Sequence, residues 1–214
     1  MTPGVKSTSL WEVPIREGRE VLTSRDIVEM ADKVGIRPEN AARHLRREGY
    51  LVPLFRGFYY VRTPEEVRLH TARHGPLELF ALAARAKKIG EWYFGLDTAL
   101  RLNGLTHEDR REETVVSRSF LRVHGISLGA RRFVIHKWGP DLFGFGLERR
   151  GNFRFSNREK TVLDLAYADY WKARRGRSPR EGWREYLPSV DSTTLHRYLP
   201  HYPKEIRRMV EEQS

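Results

Sequence analysis

The chain has 214 residues, enough for a small domain beside a medium one, and 39 Lys+Arg against 28 Asp+Glu give it a formal net charge of +11. Cysteine is absent, which excludes disulfides, thiolate zinc sites and cysteine nucleophiles and fits a reducing compartment. No stretch approaches the roughly 18 apolar residues of a membrane span, and residues 1–9 lack the apolar core of a signal peptide, so the expectation is a soluble, cytoplasmic protein. Gln213 is the sole glutamine beside abundant Arg, Glu and Lys, a balance that suits a thermophile. The basic surplus favours polyanions, nucleic acid first among them; an acidic protein or a membrane surface would also answer to charge, so placement has to decide.

In chain order, Thr23 or Ser24 caps a helix, with Asp26 at capping-box spacing from Thr23. Ile27, Val28, Ala31 and Val34 form its expected buried stripe. Gly35 ends it and Pro38 opens a second helix, where a missing N–H costs nothing. At 100° per residue, Pro38, Ala41, Ala42 and Leu45 fall on one side of that helix, and Glu39, Asn40, Arg43, His44 and Arg47 on the other. Gly49 closes it. Tyr50–Leu54 and Phe58–Val61 read as strands joined by Phe55, Arg56 and Gly57. Helix, turn, helix, hairpin is the order of a winged helix, whose second helix enters the major groove. Its first helix would have to come from residues 9–20, where Pro14 and Gly18 argue against a long one.

Residues 64–75 read as a connecting segment, followed by a helix from Pro76 to about Lys88, with Leu77, Phe80, Ala81 and Ala84 at helical spacing. Trp92–Phe94 reads as a strand and Leu96–Leu102 as a helix closing at Asn103-Gly104. Thr114–Ser117, Phe120–His124, Phe133–Trp138 and Phe153–Phe155 read as further strands of an antiparallel sheet. Ser156, with Glu159 at capping-box spacing, opens a helix with Val162, Leu163, Leu165 and Ala166 on its core face. From about Arg174 the chain reads as basic loops with short helices at Ser192–Tyr198 and Pro203–Glu212. The expected fold class is α+β: a winged helix-turn-helix over residues 1–63, the connector 64–75, and a mixed α+β domain with a basic helical tail over 76–214.

The candidate DNA-binding residues are Arg37, Asn40, Arg43, His44, Arg46 and Arg47 on the second helix and Arg56 at the hairpin turn. A guanidinium pairs with guanine edges or phosphate, and an asparagine amide with adenine. The plain alternative is a solvated helix face. Four arginines against two acids, Glu39 and Glu48, along this segment, with a basic hairpin next, favour DNA. Arg62 is placed to support the turn. Between Arg118 and Arg150 stand seven basic residues (Arg118, Arg122, Arg131, Arg132, Lys137, Arg149, Arg150) and two acids, either a second polyanion surface or the polar sides of strands. The cluster Lys172, Arg174, Arg175, Arg177 and Arg180 reads as a solvated loop, with added phosphate contacts as the alternative. His70 and His74 stand four apart with no acid to complete a metal pattern, and no phosphate-loop or dinucleotide glycine pattern occurs, so no metal and no cofactor are expected.

The chain resembles the AbiEi family, the antitoxin and transcriptional-repressor half of type IV toxin-antitoxin systems, over roughly Leu22 to Tyr170. The resemblance is carried by Leu45-Arg46-Arg47-Glu48-Gly49-Tyr50-Leu51 and Arg56-Gly57-Phe58-Tyr59, by Tyr93-Phe94-Gly95-Leu96-Asp97-Thr98-Ala99-Leu100 with Asn103-Gly104-Leu105, and by Ser156-Asn157-Arg158-Glu159-Lys160-Thr161-Val162-Leu163-Asp164-Leu165. It implies an N-terminal domain that binds double-stranded operator DNA in its own promoter. It also implies a second domain, with no enzymatic activity, that counters a separately encoded nucleotidyltransferase-like toxin, direct contact not assumed. Through the resemblance Lys160, Thr161 and Asp164 become the candidate antitoxin residues; their spacing alone is explained by helix capping and an i,i+4 pair. The competing readings are a Mg-dependent nuclease using Asp141, Glu148 and Glu159 with Lys160, and a stand-alone regulator with a sensor domain.

Overall fold

The computed structural model describes residues 12–122, 124–176 and 182–213. The fold belongs to the α+β class, and the chain divides into two compact units, residues 1–88 with Ser127–Gly129, and 89–126 with 130–214. The boundary thus falls at 88/89, not at 63 or 76.

The first unit opens with α1 (Glu12–Arg16), a single turn around buried Pro14; the part of the expected first helix before Glu12 lies outside the described residues. Strand β1 (Val21–Thr23) leads into α2 (Ser24–Lys33), which starts on a complete capping box. The Thr23 hydroxyl accepts from the Asp26 amide at 3.1 Å and the Asp26 carboxylate accepts from the Thr23 amide at 2.6 Å. The buried stripe of α2 is Ile27, Met30 and Ala31, with Val34 half-buried, the spacing i, i+3, i+4, i+7; Val28 lies one step round the helix and is exposed, which corrects the expected stripe. Helix α3 (Pro38–Arg47) begins with proline in its first turn and buries Ala41 and Leu45.

Strands β2 (Leu51–Pro53) and β3 (Phe58–Val61) form a hairpin, and β1 joins it to give the antiparallel order β1-β3-β2. The hairpin turns at Gly57, whose φ of +80° suits glycine. Phe55 is buried in the turn, edge-on to Phe80 of α5 (Pro76–Ala86) at 5.4 Å between centroids. That contact explains why the expected connector and the next helix belong to the first unit. The connector holds α4 (Pro64–Arg68), capped by Thr63, and Glu66 of this helix is buried. The Glu66 carboxylate accepts from the Tyr60 hydroxyl at 2.6 Å and the Arg73 amide at 2.6 Å, which fastens the connector to β3.

The six-stranded sheet is ordered β6-β7-β5-β4-β9-β8, and all its strands belong to the second unit except β6, of which Ser127 and Leu128 are grouped with the first. The strands of this sheet are β4 (Trp92–Phe94), β5 (Glu112–Ser117), β6 (Ile126–Leu128), β7 (Arg131–Lys137), β8 (Leu147–Arg150) and β9 (Phe153–Ser156). The pairs β4/β5 and β8/β9 are antiparallel, whereas β5/β7 and β4/β9 are parallel, so the sheet is mixed and not antiparallel as expected. Parallel neighbours need a crossover, which strand patterning does not reveal. Phe120–Arg122 is not a strand, and Val123 lies outside the described residues. Helix α6 (Leu96–Leu102) follows β4, and the long α7 (Arg158–Arg174) follows β9. The cap of α7 is Asn157, whose side chain accepts from the Lys160 amide at 3.0 Å, one residue later than the expected Ser156. The tail is no loose appendage: a 3₁₀ segment (Gly182–Ser189), α8 (Ser192–Tyr198) and α9 (Lys204–Glu211) bury Trp183, Leu195, Ile206 and Val210 in one core with Val162, Leu163 and Ala166. Arg177 and Arg180 lie outside the described residues.

Candidate nucleic-acid interface and buried polar cluster

The sequence of α3 sets its two faces. Ala41 and Leu45, four apart, fix one side in the core of the first unit, which leaves the remaining positions outward. Arg37, Asn40, Arg43, Arg46 and Arg47 are exposed. Among the described residues the side chains of Arg37, Asn40, Arg43 and Arg46 have no hydrogen bond or ion pair, so their donors are available to an outside acceptor. Arg47 is held differently. Its Nε donates to Glu48 Oε1 at 3.1 Å and its Nη2 stands 3.3 Å from His44 Nδ1. His44 itself is half-buried and faces the Arg47–Glu48 pair, so it is not a fully outward residue. Arg56 is exposed at the hairpin turn and unpartnered among the described residues. Arg62 is half-buried, with a buried Nε that has no hydrogen-bond partner among the described residues.

The two histidines of the connector sit in different local settings. His74 Nε2 lies 2.7 Å from Glu20 Oε1, beside Arg73, while His70 sits in a non-helical turn at φ +51°. Among the described residues no group of three His, Asp or Glu could hold a metal, and no helix is long and apolar enough to cross a membrane.

In the second unit three of the seven basic residues from Arg118 to Arg150 pair with acids distant in sequence. Arg118 pairs with Glu91 at 2.7 Å, Arg131 with Asp109 at 2.7 Å and Arg132 with Glu112 at 3.2 Å. Arg149 and Arg150 donate to the carbonyls of Gly151 and Leu102. This favours the bland reading of that run, strand faces with local partners. The acids of the nuclease reading stand on separate elements: Asp141 in a 3₁₀ turn (Pro140–Leu142), Glu148 on β8, and Glu159 on α7, where it accepts from the Asp191 amide at 3.2 Å.

The residues singled out in α7 are placed together, and inside. Lys160, Thr161 and Asp164 are wholly buried. Lys160 Nζ donates to Asp164 Oδ1 at 3.0 Å, the Tyr202 hydroxyl donates to the same oxygen at 2.6 Å, and the Tyr93 hydroxyl to Oδ2 at 2.9 Å. The ammonium lies 4.4 Å from the centroid of Phe145 and 4.9 Å from that of Tyr93. Burial pushes the Asp164 carboxyl up and the Lys160 ammonium down, each against the pull of its partner's charge. It also pushes both tyrosine hydroxyls well up, so they stay protonated donors. Thr161 donates to the Asn157 carbonyl at 2.6 Å, and Asn103 Nδ2 reaches the Ser156 carbonyl at 2.9 Å. Each segment around Tyr93, Asn103 and Lys160 thus supplies one strand of a buried knot that ties β4, α6, β9 and α7. In this structure none of the three α7 residues is placed to meet a partner.

The turn from β4 into α6 is equally constrained. A Cβ on Gly95 would come within 2.9 Å of Val116 Cγ2, and buried Leu96 takes a left-handed φ of +51°. Thr98 donates to buried Glu113 at 2.8 Å, and Arg101 Nη2 holds the same carboxylate at 2.6 Å. Tyr202 and Glu113, which complete these clusters, escaped the sequence reading because their partners lie far along the chain.

No protein-family model matches the chain, and no curated protein matches it. Among solved structures it is similar to the crystal structure of the RV2827C protein from Mycobacterium tuberculosis, with a TM-score of 0.61 and 15% identity, over 94% of this chain and 73% of that one. At that identity the likeness speaks for the fold alone.

Proposed function

We propose that the first unit is a winged helix-turn-helix that binds double-stranded DNA, with α3 as the groove-reading helix and the β2–β3 hairpin as the wing. The order α1-β1-α2-α3-β2-β3 with a β1-β3-β2 sheet is the arrangement such a module requires. The observation that carries the reading is the outward face of α3, where Arg37, Asn40, Arg43 and Arg46 stand exposed without partners among the described residues. Arg43 and Arg47 are the base-reading candidates, Asn40 suits adenine, and Arg56 suits backbone phosphate. Through its resemblance to the AbiEi family, the chain is read as a non-enzymatic repressor of its own operon and the antitoxin to a nucleotidyltransferase-like toxin. The buried Lys160, Thr161 and Asp164 then support the fold of the second unit, and any antitoxin action runs through other residues or through transcription.

Selection from a pool of random duplexes tests the DNA reading. The full chain is expected to enrich one common sequence, and a pool returned without enrichment contradicts sequence-specific binding. For the antitoxin reading, the neighbouring gene is expressed with and without this chain. Restored growth is expected, and unrelieved toxicity, or a neighbour that is not toxic, removes that role.

A further inference from the structure

The end of β7 and one stripe of α7 enclose a cavity of about 480 Å³ that the DNA reading does not use. Its volume lies in the range of roughly 300–1,000 Å³ typical of small-molecule pockets. From the strand side come His136, Lys137 and Trp138, and from the helix side Tyr167, Trp171 and Arg175, which recur every four residues and so share one face. The rings brace one another. Trp138 meets Tyr167 edge-on at 5.0 Å between centroids, and Tyr167 meets Trp171 at 6.2 Å. Trp171 nevertheless remains 38% exposed, unusual for so large an apolar side chain.

Among the described lining residues the formal charges, on Lys137, Lys172 and Arg175, are of one sign. Lys137 and Arg175 are exposed, and neither side chain has a partner among the described residues. Lys172 also lines the cavity, bonded to Asp169 at 2.9 Å, and no carboxylate is among the described lining residues. Burial, and then the charge of Lys172, hold the His136 imidazole below its ordinary pKa, so it meets a ligand as a neutral donor and acceptor. A wall of rings with unpaired cations beside it matches a ligand that joins a planar ring to negative charge.

We propose that this cavity binds a nucleotide, with the base against the Trp138 and Trp171 rings and the phosphate at Lys137 and Arg175. The same chemistry is offered by a free mononucleotide and by an unstacked base of a single strand. The site is independent of α3, so its failure would leave the DNA reading standing.

Calorimetric titrations on the full chain carrying Arg43→Ala and Arg47→Ala, which weakens the α3 face, separate the cases. The probes are AMP, GMP, CMP and UMP, adenosine and inorganic phosphate as half-ligands, and a ten-nucleotide single strand. At least one mononucleotide or the strand is expected to bind, with adenosine and phosphate each at least tenfold weaker. Trp171→Ala, and separately Lys137→Glu with Arg175→Glu, are each expected to weaken binding tenfold or more with unchanged far-UV circular dichroism. Binding of mononucleotides as tight as the strand assigns the free ligand, and binding of the strand alone assigns the unstacked base. No heat from either probe class at millimolar concentration and low salt would overturn the proposal, as would binding that neither variant weakens.

Discussion

Lys160 and Asp164 show how one residue pair organises the second unit. Both are wholly buried, and the carboxylate is shared by an ammonium and two tyrosine hydroxyls. Removing one member of such a pair leaves the other uncompensated, at a cost of about 3–5 kcal/mol. Lys160→Met is therefore expected to lower the urea midpoint steeply, with no direct effect on DNA affinity at temperatures where the variant stays folded. A midpoint near wild type would show the pair to be dispensable. Gly146 packs onto the same lysine. A Cβ there would stand 2.8 Å from Lys160 Cβ and 2.9 Å from Tyr198 Cε2, at a φ of +57°. Gly146→Ala should destabilise by about 1–3 kcal/mol from overpacking, with backbone strain added to it, and a neutral melting shift would contradict the packing described.

Among the elements, those set by local chemistry were readable in the sequence. Thr23 with Asp26, Pro38 at the head of α3 and Gly57 at the hairpin turn each announce themselves within four residues, and the structure places each as expected. What needed distant partners was not readable. Strand β8 carries Glu148, Arg149 and Arg150 and looks like a polar loop until its pairing with β9 is known. The parallel pairing of β5 with β7, and the tail helices packed onto α7, likewise depend on contacts across the fold. On α3 the outward arginines were legible from helical period alone, whereas the half-burial of His44 against Arg47 and Glu48 was not. The α4 connector yields a pH prediction. Although burial raises the Glu66 carboxyl, hydrogen bonds from Thr63, Tyr60 and Arg73 outweigh it and hold the group below its ordinary 4.5. A depressed carboxyl contributes stability above the unfolded pKa and loses it as pH falls through the folded value. Glu66→Gln should therefore destabilise the first unit at pH 7, and the gap from wild type should narrow as pH drops below about 4.5. A gap in denaturant midpoint that stays constant from pH 7 to pH 3 would contradict the sign.

For the whole molecule, the surplus of +11 is distributed unevenly in function. In the second unit Arg118, Arg131 and Arg132 are matched by Glu91, Asp109 and Glu112, while on α3 Arg43 and Arg46 have no partner among the described residues and Arg47 is held by Glu48. If α3 and the hairpin turn meet DNA through about five phosphates, log affinity should fall with log salt at a slope of about −4.5. The central claim, that the outward arginines of α3 read DNA, is met most directly by one titration. Fluorescence anisotropy of a labelled duplex from the chain's own promoter would be compared for wild type and Arg43→Ala/Arg47→Ala at several salt concentrations. Loss of one base-reading pair costs about 1–3 kcal/mol, so the double variant is predicted to bind at least tenfold more weakly, with a shallower salt slope and unchanged circular dichroism. Equal affinity and equal slope for the two proteins would contradict the account.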